Sequence, residues 1–277
     1  MTIGCRTTGG RPLRVTFPDV GQGDAIVIES PTGRVVVVDA GGHPGADPTA
    51  GMDPGSRVIV PYLRRRGISG VDLIVPTHPD DDHVQGLIAV VERTRVRAML
   101  DSGFFRNGAS YRVLRETVQR RKIPIYTARR GQRLDIGGGA VLEVLHPGDR
   151  PILGTASPTN ENSIVLRVVY GRARVLLTGD AAEAAEDAMR ASCPDLSADL
   201  LKAGHHGSAH STTAAFLDRV RPRIAIVSCG RNNLYGHPSP AVLKRLADRN
   251  IAVYRTDRDG AIVAETDGRL WTVRPTR

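Results

Sequence analysis

Apolar residues in this chain come in short runs bounded by glycine, proline and aspartate. The runs at 13–17, 25–29 and 34–38 have strand length, and Ser30-Pro31-Thr32-Gly33 turns the second into the third. Residues 71–75 form an apolar run broken only by Asp72, as in a buried strand, and 84–91 continue as the first turns of a helix. Further strands are predicted at 96–100, 123–126, 140–145, 223–228 and 251–254. A hairpin is predicted at 163–169 and 173–177 over Tyr170-Gly171-Arg172, and another at 261–265 and 269–273. Helical patterns cover 58–66, 111–121, 181–190, 213–220 and 241–248. Strands followed by strand–helix alternation, twice over, predict two similar halves, each a sheet covered by helices on one side. Packed sheet to sheet, these give an α/β fold, a four-layer αββα sandwich in a single domain over 1–277, with 1–12 as a disordered tail.

The strand ends carry the chemistry. Thr77-His78-Pro79-Asp80-Asp81-Asp82-His83 packs two imidazoles and three carboxylates into a strand-to-helix corner. Adjacent carboxylates repel unless a positive charge sits among them. Histidine with aspartate is a ligand set suited to zinc or manganese. The bland reading is that Asp81 or Asp82 caps the helix. Three more strand ends carry ligand-type residues: Asp39, Asp180 and the pair His205-His206. Loops at one edge of a sheet converge, so a shared metal centre explains all four together better than four unrelated coincidences.

Hydrophobic residues make up 40% of the 277, enough for a core. No apolar run nears the ~20 residues of a membrane span. Residues 1–13 lack the apolar centre of a signal peptide, so the expected location is the cytoplasm. Cys5, Cys193 and Cys229 are few, distant and odd in number, which argues against a disulfide framework and against a thiolate zinc site. The net charge is +9, with only Lys122, Lys202 and Lys244 as lysines. Such an excess of base favours a polyanionic partner such as nucleic acid. Arg64-Arg65-Arg66, Arg120-Arg121-Lys122 and Arg129-Arg130 are candidate backbone contacts, although each also reads as a solvated face. Aromatics are only 4%, with Phe104-Phe105 the one adjacent pair, so recognition is expected to rest on phosphates and to depend strongly on salt.

The motif His78-x-Asp80-x-Asp82-His83 resembles the His-x-His-x-Asp-His signature of the metallo-β-lactamase superfamily, with Asp80 in the place of its middle histidine. That substitution resembles the branch found in the competence protein ComEC. So do Asp19-Val20-Gly21-Gln22-Gly23-Asp24, Glu161-Asn162-Ser163, Leu177-Thr178-Gly179-Asp180, His205-His206-Gly207-Ser208 and Gly236-His237-Pro238, in the family's order. The resemblance implies two adjacent divalent ions, Zn2+ or Mn2+. Asp82, His83, Asp180 and one histidine of the 205–206 pair, His205 by its nearness to the strand end, would hold the better-formed site. His78 and Asp80 would hold the other, with Asp180 bridging. The superfamily supplies a further histidine to that second site, where this chain reads Asn160-Glu161-Asn162-Ser163; His146 is a distant candidate to fill the gap. Gln85 also stands where relatives often carry glycine.

Two ions roughly 3.5–4 Å apart share a hydroxide and neutralise both oxygens of a displacement at phosphorus. The implied catalytic group is Asp82, Asp180, His206 and His237, the histidines stabilising charge or protonating the leaving oxygen, with Ser208, Asn162 and Gln22 at the substrate. The expected activity is cleavage of DNA, single-stranded by preference, or of another phosphodiester. A hydrolase of a small substrate, such as a lactone or β-lactam, and a non-catalytic nucleic-acid-binding module are the alternatives.

Overall fold

Alternation along the first strand, Leu13–Phe17, puts Leu13, Val15 and Phe17 on one face, and all three are buried. Their partners are Ile26, Ile28, Val36, Val38 and Val75 of the same sheet, and Leu142, Val144, Leu166, Val168, Val175 and Leu177 of a second one. Burial of these branched side chains between two sheets is the main apolar contribution holding the halves together. The computed structural model describes residues 11–48, 51, 53–104 and 108–277. Cys5, nearly all of the expected 1–12 tail, and Phe105 lie outside them.

The first sheet has eight strands among the described residues. Their spatial order is Trp271–Pro275, Ile262–Thr266, Leu13–Phe17, Ala25–Glu29, Val35–Ala40, Leu73–Val75, Met99–Asp101 and Ile125–Thr127. The second has seven, in the order Ala252–Arg255, Ile224–Val227, Leu200–Lys202, Ala173–Leu177, Val165–Tyr170, Ala140–His146 and Arg133–Gly137. Helices Val60–Arg65, Asp81–Arg93 and Ala109–Arg120 cover the outer face of the first sheet. Helices Glu183–Ser192, Ala214–Val220 and Pro240–Ala247 cover that of the second. The expected αββα layering is therefore what forms. The closing hairpin departs from a simple two-half order: it crosses over to pair with Leu13–Phe17 in the first sheet. No helix among the described residues is long and apolar enough to cross a membrane.

Two boundaries shift for physical reasons that matter below. The corner helix begins at Asp81, not at 84, so Asp81, Asp82 and His83 form its first turn, where the helix dipole favours carboxylates. The predicted 96–100 strand divides into Arg95–Val96, which pairs with Gly70–Val71, and Met99–Asp101 in the main sheet.

Parallel pairing brings the strand ends together. Val35–Ala40 lies beside Leu73–Val75 with Val38 opposite Val75, so Asp39 and Thr77 leave the sheet side by side. Ala173–Leu177 lies beside Leu200–Lys202 with Leu177 opposite Lys202, so Asp180 and His205 also emerge as neighbours. The two edges are joined by the Ile164 amide, which donates to the Thr77 carbonyl at 2.9 Å. Close backbone approach then sets the corner helix in place. A Cβ on Gly42 would collide with the Asp81 carbonyl, and one on Gly86 with the Ala40 carbonyl. Glycine inside a helix is normally a cost; at position 86 it is the only residue that lets the helix sit this near the strand end.

The loop after His205-His206 is anchored from helix Glu183–Ser192. The buried Glu186 carboxylate accepts the amides of Thr212 and Thr213, the latter at 2.9 Å. Burial pushes its carboxyl up to about 7, against the pull of those amides. A carboxyl with a raised pKa binds its proton more tightly folded than unfolded, so its contribution is complete at low pH and is lost as pH rises toward 7. Urea unfolding of Glu186→Gln should therefore show a flatter pH profile than wild type between about pH 5 and pH 7, with the wild type losing stability as pH rises. Parallel profiles for the two proteins would contradict this.

Candidate metal centre

Thr77 fixes the first imidazole. Its hydroxyl donates to Asp39 Oδ2 at 2.7 Å, so the same oxygen can only accept from His78 Nδ1, 3.1 Å away. The His78 proton is thus on Nδ1, and Nε2 carries a free lone pair. Burial, with the neighbouring His83, holds the ring down to about 3 and so neutral. His83, in the first turn of the corner helix, donates Nδ1–H to Asp39 Oδ2 at 2.8 Å. Asp39 sits in the left-handed region at φ 53°, a backbone cost found where the surrounding structure fixes a functional residue. His206 donates Nδ1–H to the Ser228 carbonyl at 3.0 Å, with Asp24 Oδ1 behind it at 3.3 Å.

All three rings therefore turn Nε2 toward one carboxylate, Asp180. His83 Nε2 lies 3.3 Å from Asp180 Oδ1, and His78 Nε2 and His206 Nε2 lie 3.8 and 3.4 Å from Oδ2. None of the three Nε2 atoms has a hydrogen-bond partner, nor has Asp180 Oδ1, and all are buried. Buried polar atoms without partners are rare and point to an unshown ion or water. Burial opposes charge on His83 and His206, yet the carboxylates of Asp180, Asp39 and Asp24 lift both well above the ordinary histidine range. Asp180 is disfavoured by burial as a charge but is held well below the usual carboxylate range by His206, His83 and His205. This is a strongly negative pocket that a cation or protons must neutralise. Asp24, His83, Asp180 and His206 place one donor atom each within 4.8 Å of one another. An imidazole backed at Nδ1 by a carboxylate, with Nε2 turned inward, is the arrangement that orients a metal ligand, and it occurs here at His83 and at His206. The donor set of nitrogen and oxygen fits zinc or manganese.

The remaining expected residues fall into two groups. Asp82 is close to the cluster, with Oδ2 3.4 Å from His206 Nε2, and Asp80 Oδ2 is 3.6 Å from His78 Nε2. His205 Nε2 is 3.7 Å from Asp180 Oδ2, on a ring 30% exposed to solvent, whereas His206 is buried and directed inward. Asn160, where the family would place a histidine, is buried with its amide against the His205 ring at 3.4 Å. Gln22, Asp80, Asp82, Asn160, Asp180, His205, His206 and His237 line a cavity of about 420 Å³ over the cluster. Asn162 and Ser208 do not line it. The Asn162 amide is consumed by the backbone of Ile152 and Pro158, and Ser208 is buried with its hydroxyl toward the His210 amide. His146 donates Nε2–H to the Glu161 carbonyl at 2.8 Å and holds a loop.

Sequence reading gave no role to Asp24, which it named only within the 19–24 motif, or to Lys202. Lys202 is completely buried, donates to the Gly179 carbonyl at 3.0 Å, ion-pairs with Asp24 and lies 3.9 Å from Asp180 Oδ1. Its ammonium lies beneath the Asp180 carboxylate. The available signal was its rarity: one of three lysines in the chain, at the end of an apolar strand three residues before His205. Removing one partner of a buried pair leaves the other uncompensated, at a cost of about 3–5 kcal/mol. Lys202→Met should lose that much stability in urea unfolding with chelator present, and adding Asp24→Asn should restore part of it. A near-neutral single substitution would show that the pair is not buried as described.

The Metallo-beta-lactamase superfamily profile matches residues 18–231. The chain is 32% identical over 266 residues to ComE operon protein 3 of Bacillus subtilis, covering 93% of this chain and 34% of that protein. It is 32% identical over 249 residues to competence protein ComA of Neisseria gonorrhoeae, covering 90% and 31%. The chain thus spans about a third of the length of these relatives. In structure it resembles the metallo-beta-lactamase fold protein YhfI of Bacillus subtilis, with a TM-score of 0.51 at 10% identity over 87% of this chain and 95% of that one. With the matched profile, the four-layer fold and the histidine–aspartate cluster in agreement, this chain belongs to the metallo-β-lactamase superfamily.

Proposed function

We propose that this metal-dependent hydrolase is a phosphodiesterase that cleaves single-stranded DNA. The observation that carries the reading is the Asp180 carboxylate, faced by three partnerless imidazole nitrogens on the floor of an open cavity in a chain of net charge +9. Two relatives bear competence names, and the basic composition suits a polyanion.

In this reading Asp82, His83, His206 and Asp180 hold one divalent ion. His78, Asp80 and Asp180 hold the other, with His205 beside them in place of the absent family histidine. His206 thus moves from an acid–base role to a ligand, because its Nδ1 proton is committed to Ser228 and only Nε2 faces the cluster. The bound ions supply Lewis acidity at a phosphoryl oxygen and acidify water at neutral pH. Asp39 and Asp24 keep the imidazoles in the ligating tautomer. Lys202 offsets part of the repulsion among Asp24, Asp80, Asp82 and Asp180 and keeps Asp180 in place. His237, on the cavity wall, is held down to about 4 by burial and by His205 and His206, so it is neutral at neutral pH. A neutral ring there orients a phosphate or leaving oxygen by donating a hydrogen bond; it does not arrive as imidazolium.

Asp82→Asn and Asp180→Asn should each abolish cleavage of a single-stranded oligonucleotide and of a chromogenic phosphodiester, with the circular dichroism spectrum unchanged. His206→Ala should lose bound metal and rate together. Full metal with reduced rate would return His206 to the acid–base role. Hydrolysis of a lactone or β-lactam with no action on either diester by the wild type would replace the proposed substrate.

A further inference from the structure

The cavity has an aromatic rim that the chemistry above does not use. Tyr235 lines it yet is 60% exposed, and Leu234 beside it is fully exposed. The neck of this loop is clamped: the Asn233 amide donates to the carbonyls of Gly230 and His237 at 2.9 and 2.6 Å, and accepts the His237 amide at 3.0 Å. The Gly230 amide is in turn held at 3.1 Å by Oε1 of Gln22, which also lines the cavity. Two large apolar side chains are therefore presented to solvent from a closed, hydrogen-bonded loop. Tyr235 is thereby held at the cavity rim with its ring accessible from solvent.

The Tyr235 ring stacks on His237, with centroids 5.8 Å apart and planes at 24°. His237 continues to His205 at 5.5 Å and to His206 at 6.4 Å. A row of rings thus leads from solvent to the Asp180 cluster. From these contacts we infer that Tyr235, backed by His237, is a stacking platform for a nucleobase adjoining the phosphate at the cluster. The inference rests on the phosphodiesterase reading and sharpens it. The substrate is a strand with unpaired bases, because a paired base in a duplex keeps its faces against its neighbours. Base–aromatic stacking tolerates any base, so the platform selects for single strands without selecting sequence.

The test is fluorescence anisotropy with a labelled phosphorothioate oligothymidine and an abasic chain of the same length and linkage, in manganese or zinc. Wild type should bind the base-bearing chain about five- to tenfold more tightly than the abasic chain. Tyr235→Ala should remove that preference and leave affinity for the abasic chain unchanged, and Tyr235→Phe should retain it. Equal affinity of wild type for both chains, or a preference that survives Tyr235→Ala, overturns the inference while leaving the phosphodiesterase reading intact. Absence of binding to either chain overturns both.

Discussion

The structure depends on neutralising one buried carboxylate. Asp180 sits where the ends of the two sheets meet, with three imidazoles and a lysine directed at it from two stretches of chain, 78–83 and 202–206. A lone carboxylate so buried would protonate or draw in water. Instead the chain surrounds it with groups whose own backs are tied: His83 to Asp39, His206 to Ser228 and Asp24, His78 to Thr77. Each tie fixes a tautomer and leaves Nε2 free. The excess of carboxylates over fixed cations in this space is what makes it a place for divalent ions.

The fold exists to bring those segments together. Parallel pairing in each sheet delivers two strand ends to the same edge, and face-to-face packing of the sheets brings the two edges into contact at Thr77 and Ile164. Glycines at 42 and 86 then let the corner helix approach closely enough for its first turn to share the space.

Much of this was legible in the sequence because it is written in short-range patterns. Apolar runs broken by glycine gave the strands and the αββα layering, and the ligand-type residues stood at strand ends. What could not be read was direction. His205 and His206 are adjacent and chemically identical, and a left-handed backbone at both decides which ring is buried. Asn162 resembles a substrate contact in sequence, yet its amide is spent on neighbouring backbone. Asp24 and Lys202 are 178 positions apart, and only the packing of one sheet on the other makes them a pair. Tyr235 was hidden by composition: a small aromatic fraction says nothing about where the few rings stand.

Membership in the superfamily is carried by the match over residues 18–231, and the cluster shows how this chain departs from its signature. Asp80 and Asn160 stand where the resemblance expects two imidazoles, and in the proposed centre the carboxylate at position 80 would suit manganese as well as zinc. The most direct measurement is the number of divalent ions bound per chain, by elemental analysis after equilibrium dialysis against zinc and against manganese. Two ions in the wild type, and none retained by Asp180→Ala with the fold intact, is the result this account requires. Metal content unaffected by Asp180→Ala would mean that the carboxylate at the centre of the cluster does not hold the ions.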